Sequence, residues 1–230
     1  MSDREDNSSL RDPTPRLVFF DLDGTVTRRD TLLPYVLGYA ARSGWRLAAA
    51  LGVVPTLLRF TIGRADHGIL KGALLHAALG DVERDALDAW NRSYLPKVLR
   101  DDVFPDARRA IEAHRAAGDH LVLMTATVDL YANALGALLG FDEVISSRVR
   151  WSGDRLDGRL DGSNVRDTEK LRRLEAAAAR FPGRPITAYG NSRPDLPHLE
   201  RADEAVMVNA RGQLRRDAER LRMRCVHWSI

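Results

Sequence analysis

Cysteine is nearly missing from this sequence of 230 residues: Cys225 stands alone, so no internal disulfide can form, and a reducing compartment, the cytoplasm, is expected. Long apolar runs are missing too. The longest, Leu47 to Leu58, is interrupted by Gly52 and Pro55 and is too short to span a bilayer, so a buried helix pair is expected there in preference to a membrane-surface segment. Lysine is scarce, since of 35 basic residues only Lys71, Lys97 and Lys170 are lysine. A retained lysine marks a place where the planar fork of arginine is a candidate misfit. The arginines are spread along the chain and the formal net charge is only +3, which argues against a nucleic-acid-binding face. No apolar signal stretch opens the sequence: residues 1–15 are polar, charged and proline-bearing and read as a disordered leader. With 44% hydrophobic and 29% charged residues, the remainder has a globular composition and can bury a core.

What the chain does contain is concentrated first in Leu17-Val18-Phe19-Phe20-Asp21-Leu22-Asp23-Gly24-Thr25. Four apolar residues rich in β-formers read as a strand buried on both faces, and that strand stops at two carboxylates, a glycine and a hydroxyl. Like charges at i and i+2 repel, and at the edge of a hydrophobic sheet they cost stability unless a cation, a proton or a reaction uses them. A solvated turn or a helix cap is the structural alternative for this pair taken alone.

From Asp30 to about residue 102 the pattern is helix after helix, with Trp45 to Val54, Thr56 to Ile62, Ile69 to Leu79 and Val82 to Tyr94 punctuated by glycine and proline. No strand is expected there, so residues 30–102 read as a helical subdomain inserted between 16–29 and 103–230, with Trp45, Trp90 and Tyr94 in its core. Hinges are expected near residues 27–30 and 98–105. Beyond it, apolar strands alternate with helices: His120 to Thr125, Glu143 to Ser147, Pro185 to Gly190, Glu204 to Asn209 and Cys225 to Trp228, with a small hairpin over Arg148 to Leu160. Alternation of this kind predicts an α/β fold with a doubly wound, mostly parallel sheet, whose ligands sit at the carboxyl ends of the strands. Asp21, Thr125 and Asn191 each follow an apolar strand, which aims three polar groups at one edge.

Those ends suit phosphoryl chemistry. Asp21 is the candidate nucleophile toward phosphorus, and Asp23 the candidate acid and base for the leaving oxygen and the hydrolytic water. Charge compensation points to magnesium, held by the Asp21 carboxylate, the Asp23 backbone carbonyl and Asn191, with Asp195 one helical turn away on metal-bound water. Thr125 and neighbouring backbone N–H groups at a helix N-terminus are expected to bind phosphate oxygens, and Lys170 to add a compact positive charge.

Asp21-Leu22-Asp23-Gly24-Thr25 resembles the first motif of the haloacid dehalogenase superfamily, and Met124-Thr125-Ala126-Thr127 its second. Asp167-Thr168-Glu169-Lys170 holds the third-motif lysine, and Gly190-Asn191-Ser192-Arg193-Pro194-Asp195 resembles the fourth. The resemblance runs from about Arg16 to the C-terminus, and the helical insertion is similar to the cap of the phosphoserine-phosphatase-like subgroup, subfamily IB. It implies a Rossmann-like core, Mg2+, and hydrolysis of a small phosphorylated metabolite through an aspartyl-phosphate, with Gly24, Thr25 and Ala126 in the substrate-binding set. Two departures bear on this. Asn191 stands where the fourth motif has aspartate, which lowers the expected magnesium affinity. Arg28 and Arg29 stand where the phosphoserine-specific member carries an acid, which favours an anionic substrate and adds both arginines to the expected binding set. A receiver-like phospho-switch, a phosphoryl transferase and a catalytically weakened binding protein are the rival readings.

Overall fold

The computed structural model describes residues 14–61 and 67–229. Of the expected leader, only Thr14 and Pro15 fall within them, and the end of the expected helix Thr56 to Ile62 lies outside. Strand β1 (Leu17–Phe20) is the first element. Its four side chains are fully buried, odd and even residues entering two separate apolar clusters on opposite faces of the sheet. At about 1.5–3 kcal/mol per buried side chain, this strand alone accounts for a large part of the drive to close the sheet.

Among the described residues four helices follow before the chain returns to the sheet: α1 (Leu32–Ala40), α2 (Gly44–Thr61), α3 (His67–Leu79) and α4 (Arg84–Asp101). Two boundaries differ from the sequence expectation. Pro55 does not split α2, which is one helix, and α4 runs through Pro96 to Asp101. Proline weakens a helix locally, but Leu95 and Val98 continue the buried face of α4 past Pro96, and that packing overrides the break. Trp90 and Tyr94 do lie in the insertion's packing, where Tyr94, Tyr35 and Tyr131 cluster, with Tyr35 and Tyr131 stacked at 4.4 Å. Trp45 does not. It is 64% exposed in the first turn of α2, with the guanidinium of Arg46 over its ring at 4.4 Å.

Helix α5 (Pro105–Ala116) leads into β2 (His120–Val128), α6 (Asp129–Leu139) and β3 (Glu143–Ser147). An antiparallel hairpin, β4 (Val149–Ser152) with β5 (Arg155–Leu160), packs beside α3. The chain continues through α7 (Thr168–Ala178), β6 (Ile186–Gly190), a short turn of 3-10 helix at Arg193–Asp195, α8 (Leu196–Glu200), β7 (Glu204–Val208), α9 (Gly212–Arg220) and β8 (Arg224–Val226). Six strands form one parallel sheet in the order β3-β2-β1-β6-β7-β8. Strand order therefore reverses at β1, the position where an open α/β sheet leaves a crevice at its carboxyl edge. Among the described residues no helix is long and apolar enough to cross a membrane.

Candidate active site

Phe20 is in register with Leu123 of β2 and Tyr189 of β6, so Asp21, Thr125 and Asn191 emerge side by side at the crevice. The Asp21 amide donates to the Tyr189 carbonyl at 3.0 Å, carrying the sheet one residue beyond β1. The chain then folds back sharply, with Gly24 N donating to Thr27 O at 2.7 Å and Thr27 N to Leu22 O at 2.9 Å. Gly24 is required twice over: its φ is +86°, and a Cβ there would lie 2.0 Å from the Asn191 amide nitrogen. The fourth-motif loop thus sits directly on the first-motif turn.

Lys170, on the first turns of α7, is 3% exposed and places one ammonium between two carboxylates, 2.5 Å from Asp21 Oδ1 and 2.6 Å from Asp195 Oδ1. α7 is launched from Asp167, whose φ of +57° lies in the left-handed region, a local strain of about 1–3 kcal/mol at the turn that aims the lysine. Burial alone would lower the lysine's pKa, but the two carboxylates outweigh it and hold the ammonium charged. The other Asp21 oxygen accepts from the Thr25 hydroxyl at 3.2 Å, so the carboxylate is clamped at both ends. Burial nevertheless raises the Asp21 pKa to about 6, against the pull of Lys170 and with a further push from Asp195.

Asp23 is held from the insertion side. Its Oδ1 accepts both the backbone N–H and the hydroxyl of Thr31, each at 2.8 Å. The Thr31 hydroxyl is in turn 2.8 Å from the Tyr131 hydroxyl, which is 2.6 Å from that of Thr127, while Tyr94 OH donates to the Thr31 carbonyl. With Asp23 ionised, the protons of this chain run one way, from Thr127 through Tyr131 and Thr31 to the carboxylate. Desolvation, then the charges of Asp30 and Asp21, push Asp23 up to about 7. That is the range in which a carboxyl can give and take a proton.

Thr125 is buried on β2, and its hydroxyl oxygen accepts from Thr127 N at 3.0 Å, leaving its own O–H to donate. β2 runs on to Val128, so α6 begins four residues after Thr125 and its N-terminus is not adjacent to the threonine as the sequence implied. The Asp195 carboxylate, 1% exposed, gives Oδ1 to Lys170 and Oδ2 to Asn191 N, Ser192 N and Ser192 Oγ. In this conformation it fixes the lysine and the fourth-motif loop, with Lys170 overriding burial to hold its pKa down at about 2. Arg28 and Arg29 are not found at Asp21. Both pair with Asp102, at 3.4 and 2.6 Å, and Arg28 also donates to the Asp101 carbonyl. Beside them Arg28 N bonds Asp102 O and Phe104 N bonds Val26 O, so the arginines join the two chain crossings at the base of the insertion.

Asp21 and Asp195 thus share one ammonium, while Asp23, two residues from Asp21, is held by Thr31. Hard oxygen donors with excess negative charge fit a small divalent cation such as Mg2+. Among the described residues no three His, Cys, Asp or Glu side chains gather as a metal cluster, so a cation here would need backbone or amide oxygens, for which the Asp23 carbonyl and the Asn191 amide are the candidates, as well as carboxylates.

Two residues escaped the sequence reading. Lys71 of α3 donates to the Ala126 carbonyl and, at 2.8 Å, to Asn164 Oδ1; burial lowers its pKa to about 8 despite the nearby charges of Asp23 and Asp30. Only the rarity of lysine hinted at it. His198 of α8 is fully buried, and neither ring nitrogen has a hydrogen-bond partner among the described residues. Burial, then Lys170, lowers its pKa to about 3. A histidine kept neutral in the fold binds a proton more readily when unfolded, so stability is lost as pH falls below about 6.5, by up to about 1.4 kcal/mol per pH unit. His198→Leu is expected to flatten that acid loss in urea titrations between about pH 6 and pH 4; an unchanged slope would show that the imidazole has another way to charge.

A family model described as haloacid dehalogenase-like hydrolase matches residues 18–200, from β1 through α8. The chain belongs to this hydrolase family. Among its relatives, Protein CicA of Caulobacter vibrioides is 35% identical over 197 residues, 83% of this chain and 84% of that protein. Phosphoserine phosphatase SerB1 of Mycobacterium tuberculosis is 25% identical over 202 residues, 86% of this chain and 66% of that protein. A solved structure from Bordetella pertussis Tohama I, described as a protein with unknown function, shares the fold of this hydrolase with a TM-score of 0.80 at 24% identity. It covers 93% of this chain and 98% of its own.

Proposed function

We propose that this hydrolase cleaves a small phosphorylated metabolite at its phosphomonoester bond through an aspartyl-phosphate on Asp21, beneath a helical cap formed by residues 30–102. The observation that carries the reading is the Lys170 ammonium bridging Asp21 and Asp195 at the sheet's switch point, with Asp23 and Thr125 alongside. SerB1's name as a phosphoserine phosphatase supports the phosphomonoester class.

In the first step an oxygen of Asp21 attacks phosphorus and the bond to the leaving oxygen breaks, while protonated Asp23 delivers its proton to that oxygen. In the second, Asp23 takes a proton from water, the water oxygen bonds to phosphorus, and the bond to Asp21 breaks, restoring both carboxyl groups and releasing inorganic phosphate. Thr125 and Lys170 offset charge on the phosphoryl oxygens. Gly24 and Thr25 shape the turn that presents Asp21, and the Ala126 carbonyl faces the insertion. Magnesium, when bound, supplies positive charge that lets a carboxylate approach a phosphate dianion, and Asp21, Asp23, Asn191 and Asp195 are the residues that would hold it. A cytoplasmic site of action belongs to the same reading, on the strength of the single free thiol.

A magnesium titration of p-nitrophenyl phosphate turnover tests the proposal, and no turnover at millimolar metal would overturn it. Metal binding has a second, activity-independent signature. Asp21 and Asp23 have folded pKa values near 6 and 7, above the unfolded 3.8, so the stability they contribute is complete below about pH 4 and lost as pH rises through those values. A cation offsets the charge that remains. Magnesium is therefore expected to raise the melting temperature more at about pH 8 than at about pH 5, and an equal shift at both would contradict the charge argument.

A further inference from the structure

The outward face of α2 serves neither the sheet nor the reactive centre. Over residues 44–52 the exposed positions are Gly44, Trp45, Ala48, Leu51 and Gly52, which share one side of the helix, while Ala50 on the other side is fully buried in an apolar cluster. A surface helix ordinarily turns its polar side chains outward. This one turns out none there, and Trp45 is 64% and Leu51 52% exposed.

The charge around that face has one sign. Between Asp30 and Asp66 the only charged residues in the sequence are Arg42, Arg46, Arg59 and Arg64. The whole chain carries only +3, so this stretch holds +4 and the remainder −1. Arg42 and Arg46 pair with no acid among the described residues. Arg42 lies near the rings of Tyr39 and Trp90, at 5.9 and 5.7 Å, and Arg46 lies over Trp45 while donating to the Ala78 and Gly80 carbonyls. Such contacts leave both positive charges uncompensated.

Charge decides what can cover this strip. A second copy meeting it across a two-fold axis would bring the same positive charge against itself, with no acid in the stretch to answer it. A bilayer containing anionic phospholipid brings the opposite sign, with apolar chains beneath it. Trp45 beside Arg46 suits the headgroup level, where an apolar body and a polar tip both find their place. The helix would lie on that surface, since no described helix is long and apolar enough to cross it.

We infer that the outer face of α2 is a membrane-docking surface for anionic phospholipid, with Trp45 and Leu51 entering the headgroup boundary and Arg42 and Arg46 supplying the charge that lipid phosphates answer. The inference concerns the insertion alone and does not depend on the phosphomonoesterase reading.

The test sediments the full chain with sucrose-loaded vesicles of phosphatidylcholine alone and of phosphatidylcholine mixed with phosphatidylglycerol. Binding is expected to be at least about tenfold tighter to the anionic vesicles and to weaken as salt rises from about 0.05 M to about 0.5 M. Trp45→Glu and Leu51→Glu should each weaken it by about tenfold to a hundredfold, the size of a large apolar side chain withheld from the interface. Arg42→Gln should weaken it about fivefold. All three side chains are exposed, so the melting temperature in solution should not move, which separates lost docking from lost folding. No binding to the anionic vesicles, equal binding to both kinds, or binding unmoved by both glutamate substitutions overturns the inference. A concentration-dependent dimer in light scattering that the glutamates abolish assigns the face to a second copy and overturns it too.

Discussion

Asp21→Asn is expected to remove phosphatase turnover by about a thousandfold or more while leaving the protein folded. An amide nitrogen or oxygen does not attack phosphorus at neutral pH, and the neighbouring Asp23 is bound to Thr31 and cannot replace it. The fold has little reason to suffer. Lys170 keeps Asp195 at 2.6 Å, and the substitution removes one of two buried carboxylates that share a single cation, so the melting temperature should hold or rise. Steady-state assay on p-nitrophenyl phosphate with a parallel thermal melt reads both quantities. Magnesium-dependent turnover surviving in this variant would falsify the assignment of the nucleophile.

Lys170→Met carries the largest expected cost in stability, about 3–5 kcal/mol, because it leaves two buried carboxylates without their common partner. Nothing nearby can take over: among the described residues no other cation pairs with Asp21 or Asp195. Lys170→Arg should recover only part of the loss, since a planar fork is a poor replacement for one nitrogen 2.5 and 2.6 Å from two separate oxygens. The deficit has a pH signature. It should be largest near neutrality and shrink toward acid as Asp21, with its pKa near 6, takes up a proton and no longer needs a counter-ion. Urea unfolding at two pH values measures it, and a loss below about 1 kcal/mol at neutral pH would show that the carboxylates are already protonated or solvated.

The parts of this site legible in the sequence are those encoded by local pattern. A four-residue apolar run ending in two acids reports a buried strand and its terminus without help from the rest of the chain, and Thr125 and Asn191 follow from the same grammar. Alternating strands and helices likewise report the parallel sheet. Partners that meet across the fold leave no such trace. Arg28 and Arg29 sit close to the first motif in sequence, but Asp102, which holds them, is more than 70 residues away and belongs to the other crossing of the insertion. Asp195 has the spacing of a metal-side acid, and only the folded chain shows both its oxygens taken by Lys170 and the fourth-motif loop. Lys71 depends on Ala126 and Asn164, which reach it through tertiary packing alone. Pro55 reads as a helix break, and the fourth helix is expected to stop at Tyr94, because propensity is local, whereas the apolar face that carries α4 across Pro96 is not.

Strand β1 pairs with strands from two later parts of the chain, and Asp21 meets Lys170 across 149 residues. The helical insertion lies inside the first of those loops, so its helices can form on local contacts while β1 still lacks both neighbours. Loop-closure entropy then makes the central sheet slow to assemble. The reactive centre is consequently among the last things to exist during folding. Until then β1 is an exposed, uncharged apolar segment with two open edges, which makes Leu17–Phe20 the place where a chain delayed in folding would begin to aggregate.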